Sequence, residues 1–185
     1  IEELSKNAFY DRLTGLKSRA FFEEEMKDVF RGIFQKRHSP ERRRESNEKS
    51  EDVSLIIFDL DKFKNVNDLF GHLAGDMVLK TVAEVIKNSV RDFDIVARWG
   101  GEEFAVVLVG ASIQEATEKA EIIRRKISEI QFDQHPDLKV TISAGVASAS
   151  DFENQTSLFR AADQALYESK NNGRNRVTAY SAPSN

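Results

Sequence analysis

The sequence predicts an α/β domain of the α+β type, with a ferredoxin-like βαββαβ core, a mainly antiparallel central sheet flanked by helices, and an extra helix and strand at its carboxyl end. Residues 53–58 form a short apolar run rich in β-branched side chains, which is typical of a buried central strand. Amphipathic helical repeats then alternate with strand patterns as far as Val146. A right-handed crossover makes the first two strands of such a core parallel, and the third strand usually lies between them, antiparallel to both.

Composition limits the classes of function that the chain can have. Its 185 residues and 40% hydrophobic content suit one globular domain with a sizeable core. The lack of cysteine excludes disulfides, thiolate metal sites and cysteine nucleophiles, and it fits a reducing compartment. A net charge of −4 argues against broad binding of DNA or RNA. Because the longest apolar runs are strand-sized, we expect a soluble, cytoplasmic domain.

The amino end is expected to contain two helical segments. The first residues have helical spacing and are interpreted as the remnant of a linker helix that joined an N-terminal sensory or regulatory domain. A turn at Asp11–Gly15 precedes a helix predicted from Ser18 to about Phe34. Residues 35–51 have almost no apolar side chain and predict a solvated loop insert. The predicted division is a linker remnant at 1–8, a domain at 9–180 and a tail at 181–185.

The remaining elements follow from periodicity and turn chemistry. Ser112 and Glu115 have the spacing of a capping box and predict the start of a helix. Gly100 and Gly101 supply the turn of a hairpin between two strands. The other predicted elements are a helix at about 75–90, strands at 94–99 and 104–109, a helix at 113–130, a strand at 140–146, a helix at about 157–170 and a strand at 176–180.

Three carboxylates are expected to meet at one edge of the sheet. Asp59 ends the first strand, and Glu102 and Glu103 lie in the hairpin that the strand order puts beside it. Buried together, these groups repel one another and need a cation or basic groups for compensation. Oxygen ligands suit Mg²⁺, so a phosphoryl-transfer site is indicated. The alternative is that these acids are ordinary solvated ends of strands.

A series of short motifs runs along the chain from about residue 11 to residue 180. They are Asp11-Arg12-Leu13-Thr14-Gly15-Leu16, Phe58-Asp59-Leu60-Asp61, Phe70-Gly71-His72, Arg98-Trp99-Gly100-Gly101-Glu102-Glu103-Phe104, Thr141-Ile142-Ser143-Ala144-Gly145-Val146 and Gly173-Arg174-Asn175. In this order they resemble the motifs of the GGDEF family of diguanylate cyclase domains, with the signature in its GGEEF form. The resemblance implies a fold similar to the nucleotidyl cyclase and polymerase palm, and an enzyme that condenses two GTP into cyclic di-GMP and releases two pyrophosphates.

The resemblance also implies a metal site and catalytic residues. Asp59, the backbone carbonyl of Leu60, Glu102 and Glu103 are then the ligands of Mg²⁺ or Mn²⁺, with two ions in each active site. Glu102 is the usual candidate for assisting deprotonation of the attacking 3′-hydroxyl. Glu103 is a further metal ligand or a catalytic acid. Which carboxylate acts as the base is left open.

Six further residues are implied to bind the GTP substrate. Phe63 and Lys64 resemble the family's phosphate loop, in which backbone N–H groups near a helix start hold the triphosphate. Lys170 and Arg174 resemble the side chains that neutralise the β and γ phosphates, although compensation of a helix dipole is an alternative role. Asn67 and Asp76 match the residues that hydrogen-bond guanine; their alternatives are turn and helix-capping roles.

Regulation and assembly are implied by the same resemblance. Arg91 and Asp94 fit the family's Arg-x-x-Asp inhibitory site for cyclic di-GMP, while Ile122 stands where a second arginine is often found. Because one domain holds one GTP, the reaction needs a homodimer in which two domains face each other. Two other readings are a catalytically silent module that binds GTP or cyclic di-GMP, and a structural dimerisation module.

Overall fold

The computed structural model describes residues 9–38 and 52–181, and within these ranges five strands form one sheet with helices on both faces. The elements in chain order are α1 (Arg19–His38), β1 (Val53–Leu60), α2 (Phe63–Phe70), α3 (His72–Lys87), β2 (Ile95–Arg98), β3 (Glu103–Val109), α4 (Ile113–Ser128), β4 (Ile142–Ser148), a 3₁₀ turn (Ala149–Asp151), α5 (Gln155–Asn171) and β5 (Val177–Ala179).

The sheet has the order β2-β3-β1-β4-β5. Strand β3 lies between β1 and β2 and is antiparallel to both, as the sequence predicts for a βαββαβ core. Strand β4 pairs antiparallel with the other side of β1, and β5 adds to it in parallel. The predicted fold class is therefore confirmed, including the extra helix and strand at the carboxyl end.

Strand β1 is buried on both faces because its side chains alternate between two cores. Leu55 and Ile57 face one core, which helices α1 and α5 cover. Ile56 and Phe58 face the other core, beneath α2, α3 and α4. Asp59 continues the first set, so its side chain lies at the end of the face that α1 and α5 cover.

Helix α5 packs directly on strand β4 at a glycine. A Cβ atom added at Gly145 would stand 2.1 Å from the carbonyl oxygen of Ala162 and 2.3 Å from the backbone nitrogen of Leu166. Only a residue without a side chain lets the two backbones approach this closely. The position of α5 on the sheet, and of the residues at its end, therefore depends on Gly145.

Some predicted boundaries differ from the observed ones. Helix α1 continues to His38, so a loop beginning at Gln35 is wrong, because residues with fair helix propensity can extend a helix without apolar periodicity. The rest of the predicted insert, 39–51, lies outside the described residues, as do 1–8 and 182–185. Helix α3 spans 72–87, not 75–90, and the eight-residue α2 was not predicted.

The turn before α1 covers the edge of the sheet. The Lys17 N–H donates to the Val96 carbonyl (3.3 Å), and the Arg98 N–H donates to the Lys17 carbonyl (3.0 Å). These bonds satisfy backbone groups of the edge strand β2 that would otherwise face solvent. In the described part of the chain, no helix is both long and apolar enough to cross a membrane.

Candidate active site

The register of the sheet brings the predicted carboxylates together. Asp59 on β1 lies directly opposite Glu103 on β3, and the Leu60 N–H donates to the Glu102 carbonyl at 3.1 Å. Residues opposite each other on an antiparallel pair have neighbouring side chains. Asp59, Glu102 and Glu103 are thus adjacent, at the edge where β1 ends and the hairpin begins.

Charge at this edge is poorly compensated. Asp59 is only 6% exposed, and burial raises its pKa despite the opposing effect of Lys170, whose Nζ lies 3.0 Å from Oδ2. Burial also raises the pKa of Glu102 and of Glu103, and the negative charge of Asp59 raises both further. Ionised carboxylates here cost free energy that a bound cation would reduce.

The donor set fits a cation that substrate oxygens help to hold. Among residues 9–38 and 52–181, no three acidic or histidine side chains are arranged to hold an ion unaided. Mg²⁺ commonly takes only one or two carboxylates and completes its octahedral shell with waters and substrate phosphates. Asp59 with a hairpin carboxylate meets that requirement.

The basic side chains next to this edge come from the end of α5. Lys170 lies in the last turn of the helix, and its contact with Asp59 shows that it does more than compensate the helix dipole. Arg174 follows in the connection to β5, is exposed, and has the left-handed φ of 62°. Both cations therefore border the acidic edge.

Helix α2 starts immediately after the acidic edge. Lys62 has a left-handed backbone (φ 52°), which turns the chain so that the helix begins at Phe63. The first N–H groups of a helix have no partner within it, so this end attracts anions. Phe63 is buried and anchors the helix, while Lys64 is exposed in the first turn.

The turn of the hairpin is shaped by side-chain contact. A Cβ atom at Gly100 would lie 2.8 Å from Oε2 of Glu103, and neither Gly100 nor Gly101 has a positive φ. The hairpin glycines were predicted for their turn chemistry. The contact indicates that Gly100 leaves room for the Glu103 carboxylate.

A second glycine brings α2 and α3 together at the predicted guanine residues. A Cβ atom at Gly75 would lie 2.0 Å from Oδ1 of Asn67, so the amide of Asn67 lies tightly against α3. Asp76 follows Gly75 and is exposed. The two predicted guanine ligands therefore lie near each other across the α2–α3 junction.

Residues 8–176 match the family model described as "Diguanylate cyclase, GGDEF domain". The chain belongs to the GGDEF family. Diguanylate cyclase A of Treponema denticola is 50% identical to it over 136 residues, which cover 72% of this chain and 36% of that protein. The chain spans about a third of the length of the curated relatives it matches.

Solved structures of GGDEF domains have the same fold. The coiled coil and GGDEF domain of DgcB from Caulobacter crescentus, in complex with cyclic di-GMP, has a TM-score of 0.84 at 30% identity, covering 96% of this chain and 88% of that one. The active GGEEF domain of a diguanylate cyclase from Vibrio cholerae has a TM-score of 0.71 at 34% identity, covering 86% of this chain and 97% of that one.

The Arg-x-x-Asp pair of this GGDEF domain forms a closed turn before β2. The Asp94 carboxylate accepts the Arg91 N–H (2.8 Å) and the Val109 N–H (3.1 Å), so it fixes local backbone. The Arg91 guanidinium lies 5.6 Å from the centre of the Phe93 ring, which is 60% exposed. Ile122 is also exposed. An inhibitory role for Arg91 and Asp94 stays a prediction.

The role of Arg98 and Asp11, which hold the signature hairpin in place, was not predicted from the sequence. Arg98 donates from Nη2 to the Gly101 carbonyl (2.6 Å) and from Nη1 to both carboxylate oxygens of Asp11 (3.2 Å). Partial burial raises the pKa of Asp11, but hydrogen bonds from Thr14 and the Arg98 charge outweigh it, so this pKa lies below its usual range. Arg98 and Asp11 both belong to motifs that carry the family resemblance, and this was the signal that could have identified the pair.

A stack of side chains supports the other side of the hairpin. The Arg19 guanidinium lies 4.3 Å from the centre of the Trp99 ring, and Trp99 stacks on Phe159 with ring centres 4.5 Å apart. The charge of Arg19 also lowers the pKa of Glu103, against the stronger effect of burial. No sequence pattern pointed to Arg19, because the contact joins α1, the hairpin and α5.

Proposed function

We propose that this chain is a catalytically active diguanylate cyclase domain, which joins two GTP molecules into cyclic di-GMP and releases two pyrophosphates. The observation that carries the proposal is the pairing of Asp59 with Glu103 at a buried edge bordered by Lys170. Membership of the GGDEF family supports it, because relatives that match the chain are named diguanylate cyclases.

The reaction is two successive phosphoryl transfers. In each, the 3′-hydroxyl oxygen of one GTP bonds to the α-phosphorus of the other, while the bond from that phosphorus to the bridging oxygen breaks and pyrophosphate leaves with the electron pair. The hydroxyl proton passes to a base. Glu102 and Glu103 are the candidates, because both lie beside Asp59 at the acidic edge.

Divalent cations, Mg²⁺ or Mn²⁺, would be held by Asp59, the Leu60 carbonyl, Glu102 and Glu103, with two in each site, and would neutralise the triphosphate. Lys170 and Arg174 bind the β and γ phosphates and stabilise the charge of departing pyrophosphate. Phe63 and Lys64 supply backbone N–H groups at the start of α2. These assignments rest on the position of each residue around the acidic edge.

GTP is preferred over ATP through Asn67 and Asp76, whose amide and carboxylate suit the mixed acceptors and donors of the guanine edge. A site built on such bonds rejects a base that lacks them by a factor of about 10⁴ to 10⁵. Gly75 supports this role, because it allows the Asn67 amide to lie close to α3.

Assembly and control complete the proposal. Two domains face each other as a homodimer, since each contributes one GTP. Cyclic di-GMP, which the DgcB structure contains, binds here through Arg91 and Asp94 as an inhibitor. Since the chain spans about a third of its curated relatives, residues 1–8 would link the cyclase domain, 9–180, to an N-terminal regulatory domain. The substrate and the lack of cysteine suit a cytoplasmic location.

The deciding experiment incubates the chain with GTP and Mg²⁺ and follows cyclic di-GMP and pyrophosphate by mass spectrometry and a coupled assay. We expect both products in a ratio of one to two, and neither from a Glu103→Ala variant that is folded. Calorimetry with GTP and Mg²⁺ is run in parallel. Binding without conversion, in protein free of bound cyclic di-GMP, would favour a silent binding module, and no heat would favour a structural module.

A further inference from the structure

Asp61 lies two residues from Asp59 but does not face the acidic edge. Its Oδ1 accepts the Ser143 hydroxyl (2.6 Å), and its Oδ2 accepts the Thr141 hydroxyl (2.7 Å) and the backbone N–H of Asn175 (3.0 Å). Its own N–H donates to the Thr141 carbonyl at 2.9 Å. Asp61 thus joins the end of β1, the start of β4 and the connection after α5.

That connection has an unfavourable backbone. Arg174 and Asn175 have φ values of 62° and 45°, and with Lys62 they are the non-glycine residues with positive φ in the described part of the chain. Such conformations are unfavourable and persist only where the surrounding contacts hold them in place. Lys62 is next to Asp61 in sequence, and the backbone N–H of Asn175 donates to the Asp61 carboxylate.

Two other contacts hold the same connection. The Arg174 N–H donates to the Ser169 carbonyl at 3.0 Å, and the Asn175 side-chain oxygen accepts from Nη1 of Arg124 on α4 at 2.8 Å. Asp61 supplies the bond from the sheet side. Without that bond, Asn175 loses the partner of its N–H, and the preceding residue, Arg174, is held less firmly.

We propose that Asp61 is a positioning residue, whose carboxylate fixes the backbone of Asn175 and so directs Arg174 toward the β and γ phosphates of GTP. This rests on the proposed function, because Arg174 is a phosphate ligand only if GTP binds at the acidic edge. Asp61 touches neither substrate nor metal in this role. It acts through its hydrogen bonds to Thr141, Ser143 and Asn175.

The proposal predicts different effects for Asp61→Ala and Asp61→Asn. Alanine removes every acceptor. Asparagine can place its oxygen where Oδ2 was, accepting from Thr141 and Asn175, while its NH₂ group donates to the Ser143 hydroxyl, which rotates to accept. Asparagine therefore retains the geometry and removes only the charge.

The test measures binding of 3′-deoxy-GTP, which cannot be condensed, and of GMP, both with Mg²⁺, by calorimetry. Asp61→Ala should weaken 3′-deoxy-GTP about 10-fold and leave GMP unchanged, because GMP has no β or γ phosphate. Asp61→Asn should stay within about 3-fold of the parent. Asp133→Ala is the control, since Asp133 is exposed in a loop and should leave both affinities unchanged.

A double mutant tests the route through Arg174. Added to Arg174→Ala, Asp61→Ala should weaken 3′-deoxy-GTP no further, because the side chain that it directs is gone. Full additivity would overturn the proposal, as would equal weakening of GMP or an Asp61→Asn variant as weak as Asp61→Ala. If Asp61→Ala does not fold, Thr141→Val replaces it, with an expected loss of about 3-fold for the triphosphate alone.

Failure of the two proposals can be told apart. If the parent chain neither binds 3′-deoxy-GTP nor converts GTP, the proposed function is wrong. If the parent binds and converts normally while Asp61→Ala has unchanged affinity, only the positioning role is wrong.

Discussion

At the scale of one residue, Glu103 is a carboxylate that the proposed reaction needs and that destabilises the metal-free fold at neutral pH. Burial and the negative charge of Asp59 both raise its pKa. When the pKa of a carboxyl group is higher in the folded than in the unfolded state, its contribution to stability is fully present at pH values below its ordinary pKa. That contribution is lost as the pH rises through the raised value, because the folded protein then holds an unfavourable charge. At neutral pH without metal, Glu103 therefore lowers the free energy of unfolding.

Replacing Glu103 with glutamine should consequently stabilise the metal-free domain at neutral pH, by less than about 1 kcal/mol because solvent screens this partly exposed carboxylate. The gain should shrink at a pH of about 4, where the glutamate is itself largely protonated. Urea unfolding in EDTA at both pH values measures this, with Glu118→Gln on the exposed side of α4 as the control. Cyclase activity should fall by a factor on the order of 10² or more. A glutamine variant less stable than the parent at neutral pH would contradict the electrostatic argument.

Gly75 offers a way to disturb guanine recognition without harming the fold. The Cβ atom of Gly75→Ala would displace the Asn67 amide, which now lies 2.0 Å from that position. Because a flexible side chain moves and alanine favours helix, unfolding stability should change by less than about 1 kcal/mol. GTP affinity should fall about 10-fold, the effect of one lost hydrogen bond.

Gly32→Ala is a matched control for this prediction. It makes the same substitution within helix α1, where no atom lies within 4 Å of the new Cβ. It should leave GTP affinity unchanged. Unaltered binding in Gly75→Ala, measured by calorimetry, would remove Asn67 from the guanine site.

The residue types at the acidic edge could be predicted, but their contacts could not. Asp59, Glu102 and Glu103 follow from strand order and motif. The contact of Lys170 with Asp59 depends on where α5 crosses the sheet, and the clamp of Arg98 on Asp11 joins residues far apart in sequence. Pattern periodicity holds no information on such tertiary distances.

At the scale of elements, the five strands and the long helices were predicted, and the short helix α2 was not. Helix α4 starts at the predicted capping box, and the structure contains both hydrogen bonds of that motif. Helix α2 has only eight residues between the left-handed Lys62 and Gly71 (φ 85°), so the helical spacing of its apolar residues extends over barely two turns. Its first residues, Phe63 and Lys64, were interpreted as a phosphate loop near a helix start, and a helix does begin at Phe63.

The close packing of α5 on β4 at Gly145 leads to a prediction about the stability of the fold. Gly145→Ala forces a Cβ atom against backbone at 2.1 Å and 2.3 Å, which no side-chain rotation can relieve. We expect a loss of about 3 kcal/mol or more in unfolding free energy, above the usual cost of overpacking because the whole helix must shift. Urea unfolding measures the loss.

The same shift should separate Lys170 from Asp59, so any folded Gly145→Ala protein should bind GTP more weakly than the parent. Gly32→Ala, in another helix, again serves as the control and should be no less stable than the parent. A Gly145→Ala domain of unchanged stability would mean that α5 is not held by this contact.

At the scale of the whole molecule, the strand order was predictable because handedness rules leave few arrangements of βαββαβ. The same order brings Asp59 and the hairpin carboxylates of one domain to a single edge of the sheet. In the proposed function, one such edge holds one set of guanine ligands, Asn67 and Asp76, and one set of phosphate ligands. A reaction between two GTP molecules therefore requires a second domain to present the other substrate.

This requirement predicts different concentration dependences for binding and catalysis. Below the dissociation constant of the dimer, the fraction of paired domains rises in proportion to protein concentration, so cyclase activity per chain should rise about 10-fold for each 10-fold increase in protein. The affinity for 3′-deoxy-GTP should not change, because each domain binds its own nucleotide. Sedimentation at the same concentrations identifies the range in which the chain is monomeric. Constant activity per chain within that range would contradict catalysis between two domains, since a monomer would then be making both phosphodiester bonds.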